Sequence, residues 1–261
     1  MDRDAKKFKR TLFNGIELCD EPIEEIMSMV TNFSGSEFAY FVTPNIDHFC
    51  RLDVPPSDAF KVAYDCADLK ICDSRIVKLL STLERDPITN VVPGSDLTEK
   101  ILKSTWARSA KILIIGPEES DVDIVTRKYS LGNVSSYSPP MGFIRSDSEV
   151  AKCVDIIQKC SADLVLLAVG SPQQELLAYQ VKMASTRPDK KPCVMLCVGA
   201  SIDFLSGKIT RAPRVMQLLH LEWLHRACSN PRRLIPRYWG NFLWVISYIY
   251  KSIKLTASGG Q

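Results

Sequence analysis

The sequence predicts an α/β protein: a Rossmann-like, mostly parallel sheet with helices on both faces, an N-terminal β-hairpin and a helical C-terminal appendage. Three observations carry this. Short apolar runs without charge alternate with longer amphipathic stretches from residue 38 to 198, which is the pattern of βα units whose strands are covered on both sides. Asn14-Gly15 stands between the apolar triplets Thr11-Leu12-Phe13 and Ile16-Glu17-Leu18, the sequence of a tight hairpin. The charge is unevenly divided. From Arg211 to Gln261 eight Lys or Arg face one acid, Glu222, so that segment is +7 and the rest of the +3 chain is −4.

In chain order, the hairpin is followed by a helix over Pro22–Val30 and a strand over Phe38–Val42. Further strands are expected at Leu69–Cys72, Lys111–Ile115, Val134–Tyr137, Asp163–Val169 and Val194–Val198. Helices are expected between them at Ser57–Ala67, Asp96–Trp106, Asp121–Tyr129, Asp147–Cys160 and Pro172–Ala184, with another from Arg75 onward. The core is assigned to residues 1–210, with a possible subdivision near 90–110, and the basic, aromatic appendage to 211–261.

With 261 residues, 46% hydrophobic and 24% charged, the composition is that of a globular protein and excludes a disordered or fibrous chain. Nine cysteines lack any CxxC pair and read as reduced thiols of a reducing compartment. The basic start has no apolar stretch behind it, so no signal peptide is expected and the protein is placed in the cytoplasm. Neither GxGxxG nor GxxxxGK[ST] occurs, which argues against a dinucleotide oxidoreductase or a P-loop enzyme.

In such sheets ligands bind beyond the carboxyl ends of the strands. The residues expected there are Thr43-Pro44-Asn45, Asp73-Ser74-Arg75, Gly116-Pro117, the turn ending at Gly142, Gly170-Ser171-Pro172-Gln173-Gln174-Glu175 and Gly199-Ala200. Asp73 closes a strand, where its carboxylate serves either as a helix N-cap for the segment from Arg75 or as a general base. Ser171 and Pro172 read as N-cap and first turn of a helix whose N–H groups face the crevice. Gln174 has no structural need of an amide and reads as a ligand contact; Glu175 complements the helix dipole. Asp121-Val122-Asp123 spells a DxD pattern, but at a helix start, where acids favour the dipole. His48, His220 and His225 lack zinc-ligand spacing, so no metal and no cofactor are expected.

The uncharged stretch Tyr238–Tyr250, bounded by Arg237 and Lys251, is thirteen residues long. A bilayer span needs about 20, so it reads as an aromatic segment lying in a membrane interface, or as a helix docked on the core.

These stretches resemble the WecG/TagA/CpsF glycosyltransferases. Gly170–Glu175 resembles that family's G-x-P-x-Q-E motif. Val198-Gly199, Asp203-Phe204, Gly207, Arg211-Ala212-Pro213, Leu221-Glu222-Trp223, Arg226 and Pro231 resemble its C-terminal signature, and Thr43, Asn45, Asp73 and Gly94-Ser95-Asp96-Leu97 also fit. The resemblance spans residues 10–240. It implies inverting, metal-independent transfer of a sugar from a UDP donor to a polyprenyl-diphosphate-linked acceptor, by an enzyme peripheral to the inner face of a bacterial cell membrane. Asp73 is then the catalytic base. Thr43, Asn45 and Gln174 line the donor pocket, with Arg75, Gly94, Gly142, Gly170, Gly199, Asp203 and Arg211 as further substrate contacts. Arg226, Arg233 and Arg237 face diphosphate or lipid.

Two positions depart from the family pattern. Ser74 stands where Gly is usual, and Val91 where an arginine is common; Arg75 is the candidate replacement for that charge. The Thr-Pro-Asn and Asp-Ser-Arg variants are similar to a GumM-like exopolysaccharide branch and favour UDP-glucose. The alternatives are UDP-N-acetylmannosamine or its uronate as donor, as in teichoic acid or enterobacterial antigen synthesis, and a non-catalytic nucleotide-binding domain. A nucleic-acid partner is not expected, because the C-terminal aromatics lie between basic residues rather than among them.

Overall fold

The computed structural model describes residues 8–34, 38–53, 58–184, 192–210 and 231–258. It opens with the expected antiparallel hairpin, β1 (Arg10–Phe13) and β2 (Ile16–Cys19). Asn14 and Gly15 both take positive φ, 47° and 74°, as the two-residue turn demands. Helix α1 (Ile23–Thr31) then leads to β3 (Phe38–Val42), α2 (Ile46–Asp53), α3 (Asp58–Asp65) and the short β4 (Leu69–Lys70).

The expected strand Leu69–Cys72 is thus cut to two residues, with Ile71 prolonging it only as a bridge to Cys19. After α4 (Arg75–Ser81), the single helix expected at Asp96–Trp106 is divided into α5 (Gly94–Lys103) and α6 (Thr105–Ser109). Ser104 interrupts it: its backbone is extended, and its hydroxyl accepts the Ala107 N–H to start a new helix.

The remaining elements are β5 (Lys111–Ile115), α7 (Glu119–Tyr129), β6 (Asn133–Tyr137), α8 (Asp147–Lys159), β7 (Leu164–Leu167), α9 (Gln173–Met183), β8 (Cys193–Cys197), α10 (Ser201–Ser206) and α11 (Pro231–Ser258). Six strands form one parallel sheet in the order β4-β3-β8-β7-β5-β6. The sheet therefore joins strands from both sides of residues 90–110.

Alternate residues of each strand feed opposite cores, as the period of two requires. Ala39, Phe41, Ile112, Ile114, Leu164, Leu166, Val194 and Leu196 pack with α1, α5, α7 and α10. Tyr40, Val42, Leu113, Ile115, Val165, Leu167, Met195 and Cys197 pack with α3, α8 and α9. This is the covered, doubly faced sheet that the uncharged strands foretold.

A third, smaller core lies against the hairpin. Phe13, Leu18, Phe49, Cys72, Val77, Leu80, Trp244 and Tyr248 meet there, so α11 closes a cluster begun at the start of the chain. Phe13 sits edge-on to Phe49 at 4.9 Å, and Trp244 stacks on Phe49 at 6.2 Å. The Trp244 Nε1–H donates to Asp53 (2.7 Å), and the Tyr248 hydroxyl donates to Glu84 at 2.5 Å.

The other face of α11 is different. Ile235, Trp239, Phe242, Ile246, Tyr250 and Ile253 are all about half exposed or more, and recur every three or four residues. The expected docking on the core holds for one face, while the opposite face is an open apolar stripe. Among the described residues no helix is long and apolar enough to cross a membrane.

The two faces give a paired expectation. Trp244→Ala removes a buried indole from the small core and costs about 3 kcal/mol in urea unfolding, whereas Trp239→Ala on the open stripe changes stability by less than about 0.5 kcal/mol. Equal losses would show that α11 does not dock by this face.

Candidate functional site

The carboxyl ends of β4, β3, β8 and β7 lie side by side, so the residues that follow them meet at one end of the sheet, where such folds form their ligand crevice. Thr43 follows β3, and its hydroxyl donates to the Cys197 carbonyl at the end of neighbouring β8 (3.0 Å). Two residues on, Asn45 caps α2: its side-chain oxygen accepts the Asp47 N–H (3.0 Å), while the Asn45 N–H is accepted by His48 Nδ1 (3.0 Å). That reciprocal arrangement is a capping box with histidine in the place usually held by Glu or Gln.

Asp73 follows β4 and is tied to the β3 turn, its own N–H donating to Pro44 (3.0 Å). Its carboxylate accepts the Gly94 N–H at the first residue of α5 (3.0 Å). The expected cap on the helix from Arg75 is instead made by Ser74, whose hydroxyl accepts the Val77 N–H. Asp73 caps a helix, but a different and more distant one.

Gly94 packs closely on the β3 turn. A Cβ there would come within 3.2 Å of the Thr43 hydroxyl oxygen, tighter than most real contacts. Upstream, Asp20 holds the loop that delivers Gly94: it accepts from the Thr89 and Asn90 N–H groups (2.9 and 2.6 Å) and pairs with Lys9.

On the other wall Gln174 is only 3% exposed, and its amide bridges two turns. Its oxygen accepts the Gly199 N–H (2.9 Å), and its nitrogen donates to Glu175 Oε1 (2.8 Å). Gly199 takes φ 54° after β8, a conformation few side chains allow. Gln174 therefore holds the crevice wall together, which the sequence did not announce. Ser171 was expected to cap this helix, but α9 begins at Gln173 with Pro172 in the cap position. The Ser171 hydroxyl is buried instead.

Beneath these turns lies a polar cluster that sequence reasoning missed. Glu175 (0% exposed) faces His48 (5%), Oε1 to Nε2, at 3.7 Å. Burial pushes the Glu175 carboxyl above the ordinary carboxylate range, against the Gln174 hydrogen bond that favours its charge. Burial, aided by the positive charges of Arg237 and Arg51, drives His48 down to about 3, so the ring is neutral. With Nδ1 accepting, its proton sits on Nε2 and points at Glu175. Asp47 bridges two arginines, Arg51 at 2.8 Å and Arg237 of α11 at 2.6 Å. The available signal was His48 at the third position of a helix capped by Asn45.

The structure thus gathers Thr43, Asn45, Asp73, Gly94, Gly170, Gln174 and Gly199 at one edge of the sheet. Arg75 is exposed at the first residue of α4, beside Asp73 in sequence. Val91 packs on the small core, as an apolar residue should. Gly142 follows β6, on the sheet edge farthest from β4, and is not brought to Asp73. Asp203 sits on α10, which packs on α7 and α5. Burial raises its carboxyl, and it shares Lys208 with Asp121 and Glu118 rather than facing Asp73. Arg237 pairs with Asp47, while the Arg233 side chain, Arg211 and Arg226 lie outside the described residues.

The DxD pattern resolves as a helix start. Asp121 lies in the first turn of α7, is 7% exposed and pairs with Lys208 at 2.8 Å. Among the described residues no three His, Cys, Asp or Glu side chains converge as a cation site.

Comparison with known proteins agrees with this architecture. The N-acetylglucosaminyldiphosphoundecaprenol N-acetyl-beta-D-mannosaminyltransferase of Bacillus spizizenii is 24% identical over 247 residues, covering 92% of this chain and 90% of that enzyme. The profile described as the glycosyl transferase WecG/TagA/CpsF family matches residues 12–258, from the hairpin to the end of α11. A match of that extent takes in every strand of the sheet and every turn of the crevice, and the chain belongs to the WecG/TagA/CpsF glycosyltransferase family.

Proposed function

We propose that this enzyme transfers an N-acetylmannosaminyl group, with inversion, from its UDP donor to a polyprenyl-diphosphate-linked sugar, with Asp73 as the general base. The observation that carries the chemistry is the place of Asp73: a carboxylate at the mouth of the crevice, oriented by the Pro44 carbonyl and the Gly94 N–H. The name of the Bacillus relative favours N-acetylmannosamine over the glucose suggested by Ser74 and the GumM-like variants.

In this reading the acceptor hydroxyl gives its proton to Asp73 as its oxygen attacks the anomeric carbon from the face opposite UDP. The carbon–phosphate oxygen bond breaks, and the departing diphosphate carries the electron pair. Backbone N–H groups at the crevice turns and the arginines of the C-terminal region would stabilise that charge. Thr43, Asn45 and Gln174 act by shaping the donor pocket.

Asp73→Asn keeps an oxygen to accept the Gly94 N–H, so the turn survives while the base is lost. Transfer is expected to fall about 10²-fold or more, with UDP affinity by calorimetry nearly unchanged. Near-normal turnover removes Asp73 from the mechanism. In the same assay a panel of UDP-sugars on a synthetic lipid-diphosphate N-acetylglucosamine should single out UDP-N-acetylmannosamine; preference for UDP-glucose reverses the donor assignment.

Metal independence is supported by Asp121, whose carboxylate is engaged by Lys208. Activity should survive EDTA, and the double variant Asp121→Asn, Asp123→Asn should lose no more than about 1 kcal/mol of stability, the worth of a half-exposed ion pair, with transfer retained. Loss of activity that Mg²⁺ or Mn²⁺ restores would reinstate the DxD pattern as a ligand set.

The open stripe of α11 supports docking on the inner face of the cell membrane, where the lipid-linked acceptor would lie. A helix with one apolar face and basic flanks lies in the interface plane, and each Lys or Arg near anionic lipid adds roughly 1 kcal/mol. Because Trp244 and Tyr248 belong to the protein core, truncating α11 would uncover that core, so point variants are the sharper tool. Replacing Trp239, Phe242 and Ile246 together by Ser should abolish flotation with anionic liposomes and lower transfer to a lipid acceptor, leaving UDP binding intact. Flotation of the unaltered enzyme should weaken as salt rises. A triple variant that floats normally would assign the stripe another partner.

A further inference from the structure

We propose that Glu175 is a positioning residue for the transfer reaction, a buried acid that works through His48 and Gln174 to fix the two walls of the crevice at one separation. The proposal rests on the crevice being the transfer site, and its geometry is that of a chain of contacts. On one wall, Asn45 N–H donates to His48 Nδ1, and the far nitrogen of the same ring points at Glu175 Oε1, 3.7 Å away. On the other wall, Gly199 N–H donates to Gln174, whose amide nitrogen donates to the same Glu175 oxygen. One carboxyl oxygen thus faces two N–H donors, one from α2 and one from α9, which contact the turns after β3 and β8.

The second oxygen, Oε2, is buried without a well-formed hydrogen bond, as are the nearby His48 Nε2, Tyr64 and Ser171 polar atoms. Unsatisfied buried polar groups are costly, and a group of them in one place calls for a reason. A gap of 3.7 Å between His48 and Glu175 is longer than a hydrogen bond.

The groups facing Glu175 are His48 and Arg51 from α2, Tyr64 from α3 and Cys197 from β8, with Arg237 of α11 behind Asp47. The two arginines are engaged by Asp47, and no cation contacts Glu175 directly among the described residues. The neutral acid therefore fits best, with Oε1 accepting from the Gln174 nitrogen and facing the His48 Nε2–H, and the Oε2 proton directed to a hydroxyl oxygen. A carboxamide has the same pattern of one acceptor and one donor. Glutamine can replace this acid, whereas an apolar side chain of equal length cannot.

The linkage has a definite sign. Burial raises the folded-state value of Glu175 above its unfolded value near 4.5. Its contribution to stability is present below that unfolded value and is lost as pH rises through the folded one.

The test compares Glu175→Gln and Glu175→Met in the full chain. With the fold retained, the Met variant should lower kcat/KM for the UDP-sugar about 10- to 100-fold, the scale of a misplacement near 1 Å, and Gln should recover most of that loss. In urea unfolding from pH 4 to pH 8, the Gln variant should gain on the wild type as pH rises. A folded Met variant with wild-type kinetics overturns the proposal, as does a Gln variant as impaired as Met. If the Met variant does not fold, the unfolding curves decide: a Gln-to-wild-type difference that stays constant with pH overturns it. Should wild type turn over no donor, the donor assignment fails instead, and the unfolding curves still test the pair.

Discussion

The pairing of β3 with β8 is the constraint on which the site depends. It joins residues 38–41 to residues 193–196, so closing the ladder brings together strands separated by about 150 residues of chain. Such a long-range parallel pair has no local turn to nucleate it, and is bought by burial on both faces of the sheet. Once formed, it sets the Thr43 turn beside the Gly199 turn, and the remaining contacts follow. Thr43 bonds across to Cys197, Gln174 reaches Gly199 from the next strand, and the Asp73 N–H bonds to Pro44. No single element owns the crevice; it exists where two sequence-distant halves of one sheet meet.

The C-terminal helix makes sense on the same footing. Its buried face covers the hairpin core, and Arg237 reaches Asp47 in the first turn of α2, the helix that carries His48. Its open face carries the apolar stripe. A single rigid helix therefore has one face against the elements that shape the crevice and the other free for a surface. A helix whose apolar side chains were all inward would need no second partner; one with all outward would not be held to the core.

Much of this could be read from the residues. Strands β3 and β5 were bounded to the residue because they are continuous apolar runs ended by Thr-Pro or Gly-Pro, and Asn14-Gly15 has few uses other than a tight turn. The break at Ser104 was missed because Asp96–Trp106 keeps helical periodicity through it; only the serine hydroxyl, a short-range competitor for the backbone, marks the boundary. The cap made by Asp73 was misassigned for a related reason. Sequence shows which groups can cap, but the N–H it meets belongs to residue 94, and that proximity is tertiary. Gly142 and Asp203 were placed with the site because turn residues and family signatures do not say on which strand end a turn will lie. The sheet order, which depends on the β3–β8 pairing, decides that.

The least legible part is the division of labour between two acids. Asp73 and Glu175 both follow strands that end at the same crevice, and both stand among small polar residues. Their surroundings separate them. Asp73 is partly exposed and accepts from an amide at the positive end of α5, conditions that suit a carboxylate ready to take a proton. Glu175 is enclosed by Phe60-backed His48, Tyr64 and Cys197, where a charge would lack compensation. Environments that drive two carboxyl groups apart commonly mark different roles. The difference fits the two proposed roles, with proton transfer at the acid near the mouth and alignment of the turns at the acid beneath.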